Sequence, residues 1–593
     1  MINRAVKLRW RRRFRRSRVA VEDFGVQTEE SLERHLFRRL SRVYSVRRFI
    51  LAWIILIGLM ITGVVLQTRG LSSYYQRLSP VPGGTYTEGI VGSFTNANPI
   101  YASGGVDRAV SRLIFSGLLK YDDSNNLVGD LAENWAVDPS ELRYTVRLRP
   151  NLRWHDGQPL TVDDVIFTYA TIQKPDAKSP LLPSWQGIVL EKVDDRTMTF
   201  VLPNSLSSFP HALTNGIVPK HLLETTPVSQ LRSERFNTVA PIGSGPFRLE
   251  AIEISGTTPE DRRESIGLVA YDNYHDGAPK LQRFTIHSFK TEKELLESFE
   301  RRELNAVVGL TGAPDTLRSL DGVEEHSIPL TGEVVVFFKT TSLQLNDAKV
   351  RQALVKAADT GQIIQGLDHP VIAARGPLLS SHTGYDKSLV QFPTNVAEAN
   401  GLLDAAGWLM GPDGIRLKDG QPLRFTLYGQ STSEYQYVTQ ILQKQWRAVG
   451  INVVIDLKED NELQTIVAEH SYDALLYGIS LGTDPDAFAY WHSSQADPRA
   501  VTRLNLSEYR SSVADNALEA GRTRSDITLR AAKYRPFLEA WRNDAPALVL
   551  YQPRFLYITN GNVYGFNPKL LNNATERFNN VHQWMVREVK TNK

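Results

Sequence analysis

The chain has no cysteine among its 593 residues. This absence excludes disulfide bonds, thiolate metal sites, a cysteine nucleophile and a lipid-modified N-terminal cysteine as an anchor. The H-E-x-x-H zinc motif and the Walker-type phosphate loop are also missing, as is any dense run of carboxylates typical of a calcium loop. We therefore expect neither a metal site nor a cofactor.

Acidic residues are scarce in the first 48 residues, which carry 15 Lys/Arg and only 5 Asp/Glu. The other 545 residues hold 53 basic and 60 acidic side chains. The sequence pI of about 8.7 therefore reflects the N-terminal segment, while the bulk of the protein is mildly acidic. This distribution does not indicate a nucleic-acid partner.

Charge is also absent from residues 49–66, which read "FILAWIILIGLMITGVVL". Eighteen helical residues span about 27 Å, close to the thickness of a bilayer's hydrocarbon core. The arginines that precede this segment mark the cytoplasmic side. The sequence thus predicts a basic cytoplasmic tail (1–48), a transmembrane helix (49–66) and a short tether (67–81) of a single-pass cell-membrane protein. A cleaved signal peptide is the alternative, but "VVLQTRG" fits a cleavage site poorly.

Strand and helix patterns mix in the outer region, which begins near residue 82. Residues 86–94, 143–149 and 195–202 are typical of strands. Later, a helix at 435–450 precedes a strand at 451–457, and units of this kind stack helices against a sheet. The pattern predicts an α/β, mixed α+β architecture.

One conspicuous segment, "HDGQPLTVDDV", describes a turn that leads into a helix. Gly157 suits the positive φ of a turn, and Thr161 suits an N-cap with Asp163 and Asp164 in the first helical turn. We therefore interpret His155 as a turn residue rather than a catalyst.

Six stretches resemble the extracellular solute-binding proteins of family 5, the oligopeptide- and dipeptide-binding group of ABC importers. They occur in the family's order and cover almost everything after residue 82. The stretches are "IFSGLLKYDDSNNLVGDLAENWAV" (114–137), "LRPNLRWHDGQPLTVDDVIFTY" (148–169), "PIGSGPFRLE" (241–250), "VRQALVKAADTGQII" (350–364), "VAEANGLLDAAGW" (396–408) and "VGINVVIDL" (449–457).

The resemblance implies a two-lobed, periplasmic-binding-protein-like fold (type II) with an extra subdomain. Lobe 1 would comprise residues 82–283 with a return segment at 547–593, and lobe 2 residues 284–546. The crossings between lobes would lie near 281–289 and 545–553. A ligand would bind in the cleft and shift an open–closed hinge equilibrium.

The implied function is a receptor that passes a small solute, a peptide in most relatives, to ABC permease subunits without covalent chemistry. A serine hydrolase using Ser480 is one alternative, because "GISLG" (478–482) spells G-x-S-x-G. Pro485 follows closely and disfavours the helix that a nucleophile elbow needs. A non-transport sensor or interaction protein on the same fold is the other alternative.

The stretch "GISLGTDPDAF" (478–488) resembles a family segment that lines the cleft. Peptide-binding members use an aspartate there to pair with the peptide's α-ammonium, and Leu481 stands at that position. Either Asp484 takes over this role, or the ligand is not an ordinary peptide with a free amino terminus. A turn-capping role for Asp484 is the alternative.

The further ligand-binding candidates also come from positions that match the family. They lie in the loop 92–100, near residue 375, where an arginine could hold a carboxylate bidentately, and in the lobe 2 stretch. For each, a solvent-exposed structural role is the alternative. The candidates are Asn96, Asn98, Arg375, Tyr477, Thr483 and Asp484.

Overall fold

The computed structural model describes residues 47–256, 263–310, 312–484, 486–500, 503–524 and 526–592. Most of the predicted basic tail therefore lies outside the described residues. The chain divides into two compact units, one of residues 1–79 with 588–593 and one of residues 80–587.

The helices of the described residues vary from four to 29 residues in length. They are α1 (Arg47–Tyr75), α2 (Gly105–Ile114), α3 (Val162–Ile172), α4 (Leu182–Trp185), α5 (Phe209–Ala212), α6 (Lys220–Leu223), α7 (Glu292–Glu300), α8 (Asp315–Arg318), α9 (Ala348–Ala357), α10 (Thr360–Gln365), α11 (Val396–Ala405), α12 (Ser433–Arg447), α13 (Asp460–Glu469), α14 (Phe488–Trp491), α15 (Ser512–Arg522) and α16 (Ile527–Asp544).

The strands are distributed over sheets of two to seven strands. They are β1 (Gln76–Val81), β2 (Thr85–Val91), β3 (Leu119–Tyr121), β4 (Leu127–Gly129), β5 (Ala132–Val137), β6 (Arg143–Leu148), β7 (Val189–Lys192), β8 (Thr197–Val201), β9 (Phe247–Ser255), β10 (Arg263–Ala270), β11 (Arg283–Phe289), β12 (Ala306–Val308), β13 (Val323–Pro329), β14 (Gly332–Phe338), β15 (Ile372–Ala373), β16 (Leu409–Met410), β17 (Arg416–Lys418), β18 (Gln421–Pro422), β19 (Arg424–Gln430), β20 (Asn452–Lys458), β21 (Ala474–Ser480), β22 (Ala547–Gln552), β23 (Arg554–Asn560) and β24 (Arg587–Asn592).

The first unit contains α1, whose stretch from Arg47 to Arg69 is long and apolar enough to cross a membrane. Its 23 residues span about 35 Å. The predicted tether at 67–81 needs correction, because α1 continues to Tyr75 and β1 follows it and pairs with β24. The helix continues because no proline interrupts the chain before Pro80.

Lobe 1 is built on a seven-stranded sheet in the order β13-β23-β12-β2-β11-β10-β9. β2 runs parallel to both β11 and β12, and β9–β11 are antiparallel. Tyr86 and Phe284 pair across the sheet and lie in the main core with α2. The other face is covered by α7, so closely that a Cβ at Gly89 would lie 2.3 Å from Leu295.

Lobe 2 is built on a six-stranded sheet in the order β15-β22-β14-β21-β19-β20. Every residue of β14 is buried, since helices cover both faces. Val334 and Val336 face the core formed with α9, α11 and α12, whereas Val335 and Phe337 face the core formed with α15 and α16. This burial on both faces explains the continuous apolar run of the strand.

A four-stranded antiparallel sheet, β5-β6-β8-β7, forms the extra subdomain beside lobe 1. Helices α3 and α4 cover it, and the rings of Tyr169 and Trp185 stack with centroids 3.7 Å apart. The predicted strands at 143–149 and 195–202 correspond to β6 and β8.

The chain passes between the two sheets at Leu330–Thr331 and again at Pro553. The sequence places the first crossing near 281–289, but those residues form β11 inside the seven-stranded sheet. Strand propensity reveals that a segment is extended, not which sheet it joins. The second crossing follows directly after the predicted segment 545–553.

The turn-to-helix segment has the predicted local structure. Gly157 has φ +86°, and the Thr161 side chain caps α3 in a reciprocal capping box with Asp164. Farther along, Asn395 caps α11, and Gly450 with φ +85° follows the end of α12. The predictions for the Gly157 turn, for the Thr161 cap and for a helix followed by a strand near 435–457 are confirmed.

His155 joins two of the family-like stretches. Its Nε2 donates to the carbonyl of Gly245 at 3.0 Å, and its Nδ1 accepts from the N–H of Gly243 at 3.3 Å. Both glycines approach the end of α2, where a Cβ on Gly243 would lie 2.0 Å from the Ile114 carbonyl oxygen. Burial lowers the pKa of His155 to about 4, so the imidazole is neutral at pH 7. The residue has the structural role that the sequence predicts.

Candidate functional site

The stretch 478–488 divides into a strand end, a loop and the short helix α14. β21 ends at Ser480. The backbone N–H groups of Leu481 and Gly482 then donate to the carbonyl of Thr331, which lies in the first crossing. The loop is therefore tied directly to the connection between the lobes.

Ser480 does not have the surroundings of a serine nucleophile. It is exposed, and its carbonyl accepts a hydrogen bond from the Tyr490 hydroxyl at 2.7 Å. No helix begins at Ser480, and within the described part of the chain no histidine lies in hydrogen-bond contact with its hydroxyl. Pro485 itself lies outside the described residues. The position lacks both the general base and the helix that a nucleophile elbow requires.

Asp484 is held by Arg530 of α16. Nη1 of the guanidinium lies 2.8 Å from Oδ2, and Nη2 donates to Oδ1. The side chains of Asp484 and Arg530 are only 11% and 7% exposed, respectively. A guanidinium fork that meets both carboxylate oxygens is a strong, directional pair. The negative charge of Asp484 is thus compensated inside lobe 2.

Lobe 1 approaches this pair through His211 and Tyr121. Nε2 of His211 lies 3.8 Å from Oδ2 of Asp484, and its Nδ1 lies 2.6 Å from the Tyr121 hydroxyl. Burial lowers the pKa of His211, and Arg530 lowers it further against the pull of Asp484. Burial, with Glu576 and Asp484, raises the pKa of Tyr121. The phenol and the imidazole are therefore both neutral at pH 7, and a hydrogen bond joins the Tyr121 hydroxyl to Nδ1 of His211.

A second link between the lobes runs through Asn572. Its Oδ1 accepts hydrogen bonds from the hydroxyls of Thr483, at 2.6 Å, and Thr331, at 3.0 Å. Its Nδ2 donates to Glu576 at 2.9 Å, so the amide is oriented by the lobe 1 return segment. Together, Tyr121, His211, Thr483, Asp484, Arg530 and Asn572 form what we call the interlobe cluster.

Asp486 has its own arginine. Nη2 of Arg522 lies 2.8 Å from Oδ2 of Asp486, and the guanidinium lies 3.9 Å over the ring of Phe488. Arginine side chains therefore compensate both carboxylates of the D-P-D sequence. Among the residues the structure describes, no group of three or more His, Asp or Glu side chains could hold a metal ion.

Asn96 and Asn98 are occupied within lobe 1. The Asn96 side chain accepts from the N–H of Asn98, and the Asn98 side chain accepts from the N–H of Ile100. Nδ2 of Asn98 donates to Asn237 at 3.0 Å, and Asn98 is fully buried. The side-chain amides of Asn96 and Asn98 therefore stabilise the loop in which they lie.

Arg375 and Tyr477 lie apart from the interlobe cluster. Arg375 is exposed, and its Nη2 lies 3.5 Å from the carbonyl oxygen of Gln391. Tyr477 of β21 is half-buried, and its hydroxyl accepts from Gln464 at 3.2 Å. Of the six predicted residues, the structure brings only Thr483 and Asp484 together at the boundary between the lobes.

A cavity of about 490 Å³ lies in lobe 1 beside His211. Its walls come from the loop after β2, from α2 and α4, from the segment after α5 and from the return segment. Arg108 and Arg112 contribute charge, whereas Pro180 and Leu181 contribute apolar surface. This size and mixture of surfaces are typical of sites for small ligands.

Sequence reasoning missed Arg530, His211, Tyr121 and Asn572. Their partners lie far away in the chain, so spacing gives no hint of the contacts. One signal is present nonetheless: Arg530 occupies the buried stripe of α16 that continues with Tyr534, Phe537 and Trp541. A charged residue at a core position of a helix needs a buried partner.

Comparison with known proteins gives a consistent result. Residues 126–499 match the model of bacterial extracellular solute-binding proteins, family 5. The oligopeptide-binding protein AppA of Bacillus subtilis is 27% identical over 485 residues, which cover 80% of this chain and 87% of AppA. The solved structure of AppA in complex with a nonapeptide has a TM-score of 0.70 and 26% identity, with 86% of this chain and all of that chain covered.

The fold is shared more widely. The structure of NikZ from Campylobacter jejuni in complex with Ni(L-His) has a TM-score of 0.72 at 24% identity and covers 85% of this chain. At that identity the similarity concerns the fold alone. Residues 126–499, which match the family model, include strands of both large sheets.

Proposed function

Because this chain belongs to the bacterial extracellular solute-binding proteins of family 5, we propose that it is a membrane-anchored receptor that delivers peptides to the permease of an ABC importer. The observation that carries this proposal is the match to AppA, whose structure holds a nonapeptide and is covered over its whole length. The ligand would bind between the lobes, without covalent chemistry.

The interlobe cluster supports binding by closure. Its residues come from lobe 1 and from lobe 2, and Asn572 also accepts a hydrogen bond from Thr331 of the first crossing, so the cluster is complete only when the lobes approach each other. A ligand that contacts both lobes shifts such an equilibrium by its differential affinity for the closed form. His211 and Thr483 would change their surroundings most on opening.

The peptide's amino terminus would not pair with an acid of the loop 481–486. Leu481 is apolar, and Asp484 and Asp486 are compensated by arginines. Breaking either pair to bind an ammonium would leave a guanidinium uncompensated. This pairing is evidence against the alternative from the sequence in which Asp484 takes over the role of the family's aspartate.

The anchor would be α1, with the N-terminus in the cytoplasm and both lobes outside. The absence of cysteine allows a direct test with single-cysteine variants. A membrane-impermeant maleimide should label Ser124→Cys on intact cells and Ser17→Cys only after lysis. The reverse pattern would contradict the orientation, and loss of the tail from the purified chain would indicate cleavage.

The ligand can be identified by mass spectrometry of the small molecules released when the chain, purified in mild detergent, is denatured. We expect peptides. A preparation that has been unfolded, washed and refolded serves as the control and should release none. Release of a metal chelate or a sugar instead of peptides would overturn the proposal.

A further inference from the structure

The cavity beside His211 has an unbalanced charge. Two arginines of α2 line it, and its lining contains no Asp or Glu side chain. The other polar groups are uncharged hydroxyls and amides. His211 is neutral because burial lowers its pKa. The cavity is therefore positive at neutral pH.

Arg108 is the uncompensated charge. Its side chain is exposed, and among the described residues it has no ion pair or hydrogen-bond partner. Arg112 follows one turn later on the same face of α2, an arrangement that is unfavourable for an isolated helix. Two like charges therefore face one cavity with no acid of the lining to balance them.

The positive charge of Arg112 is partly compensated by groups that lie outside the cavity lining. Its Nη2 donates to Asn579 at 3.1 Å, and its Nη1 lies 3.9 Å from Asp130. Asp130 is shared, because His275 donates to it at 2.8 Å and Lys120 lies 3.9 Å away. Arg112 is thus fixed in place and adds to the positive field, while Arg108 is available for a ligand.

We propose that this cavity takes a carboxylate of the bound peptide, with Arg108 as the principal partner. The inference rests on the proposed peptide-binding function and names its substrate class: peptides with a free carboxyl terminus or an acidic side chain close to it. Pro180 and Leu181, which line the cavity and are accessible to solvent, provide the apolar wall for the side chain of that residue. A guanidinium can meet both carboxylate oxygens, which a lysine ammonium cannot do.

The test uses two random pentapeptide libraries, one with free C-terminal carboxylates and one with C-terminal amides. Each is incubated with the full chain in mild detergent, and the captured peptides are identified by mass spectrometry. We expect capture of the free acids and, from the amide library, only of peptides with Asp or Glu near the C-terminus. Enrichment confined to the free acids identifies the C-terminal carboxylate, and enrichment of acidic amides identifies a side chain.

Arg108→Ala should weaken capture of the acids by about ten- to a hundredfold, the usual value of a hydrogen bond to a charged group. Arg108→Lys should retain part of the preference. Arg235→Ala is the matched control, because Arg235 is also exposed and lies outside the cavity. Equal capture of acids and non-acidic amides by the wild type would overturn this inference and leave the peptide receptor intact. Capture of no peptide from either library would overturn both.

Discussion

The buried ion pair predicts a large coupling free energy between Asp484 of the loop and Arg530 of α16. Arg530→Met removes the guanidinium and leaves a carboxylate that is only 11% exposed. Removing one partner of a buried ion pair costs about 3–5 kcal/mol. Asp484→Asn should also destabilise, because it leaves Arg530 without its counter-charge. The loss of unfolding free energy in the double variant should be smaller than the sum of the losses in the two single variants by about 2–3 kcal/mol.

The assay is thermal unfolding of the full chain in mild detergent, which is monitored by calorimetry. For a unit of 150–250 residues, each kcal/mol shifts the midpoint by about 2–4 °C. We expect Arg530→Met to lower the midpoint of the transition that contains lobe 2 by about 6 °C or more. Arg535→Met is the matched control on the same helix, since its pair with Asp386 is exposed. That control should leave the midpoint nearly unchanged.

The pH dependence provides an internal check. Arg530 helps to lower the pKa of His211, so its removal lets this pKa rise. Below the new pKa, a protonated His211 would stand 3.8 Å from Asp484 and replace part of the lost charge. The deficit of Arg530→Met should therefore be smaller at pH 5.5 than at pH 8.

One outcome would refute this reasoning. If Asp484→Asn leaves the unfolding midpoint unchanged but abolishes peptide capture, Asp484 is a ligand carboxylate. Asp484 would then take over the role of the family's aspartate, and its ion pair with Arg530 would not stabilise the fold.

Three further predictions concern single positions. Glu333 is fully buried with no hydrogen bond to Oε1 among the described residues, and burial raises its pKa well above the usual value. Because the folded state then holds one more proton than the unfolded state, stability falls as pH rises above about 4.3, by up to about 1.4 kcal/mol per pH unit. Glu333→Gln should remove this loss in melting curves from pH 5 to 8, and parallel curves would contradict it. His155, with its pKa lowered to about 4, should contribute stability that is lost as pH falls from about 6.5 to 4, and His155→Gln should abolish that part of the acid sensitivity. The wild-type chain and the Ser480→Ala variant should hydrolyse p-nitrophenyl acetate at the same background rate. Faster hydrolysis by the wild type would support the alternative of a serine hydrolase that uses Ser480.

Part of the local structure of both lobes follows from the sequence because its causes are local. A hydroxyl at Thr161 and an acid three residues later are enough to specify the start of α3. Gly157 and Gly450 likewise occupy positions whose positive φ is set by the turn in which they lie. Short-range chemistry of this kind is visible in a single chain.

The boundary between the lobes depends on long-range pairing and could not be read from the sequence. The family resemblance places a crossing near 281–289, but the parallel pairing of β11 with β2 shows that these residues belong to the sheet of lobe 1. The same limit applies to the site. Thr483 and Asp484 were predicted because they lie in a family-like stretch, whereas His211 and Arg530 meet them only through the fold.

The two crossings between the lobes are bound to each other as well as to the sheets. The N–H of Leu330 donates to the carbonyl of Pro553 at 3.1 Å, and the side chain of Gln552 donates to the carbonyl of Leu330 at 2.8 Å. Two strands joined in this way form a ribbon, which bends across its flat face but resists twisting and sideways shear. The lobes would therefore open along a single arc and return to the same alignment, with Thr483 meeting Asn572 again at each closure.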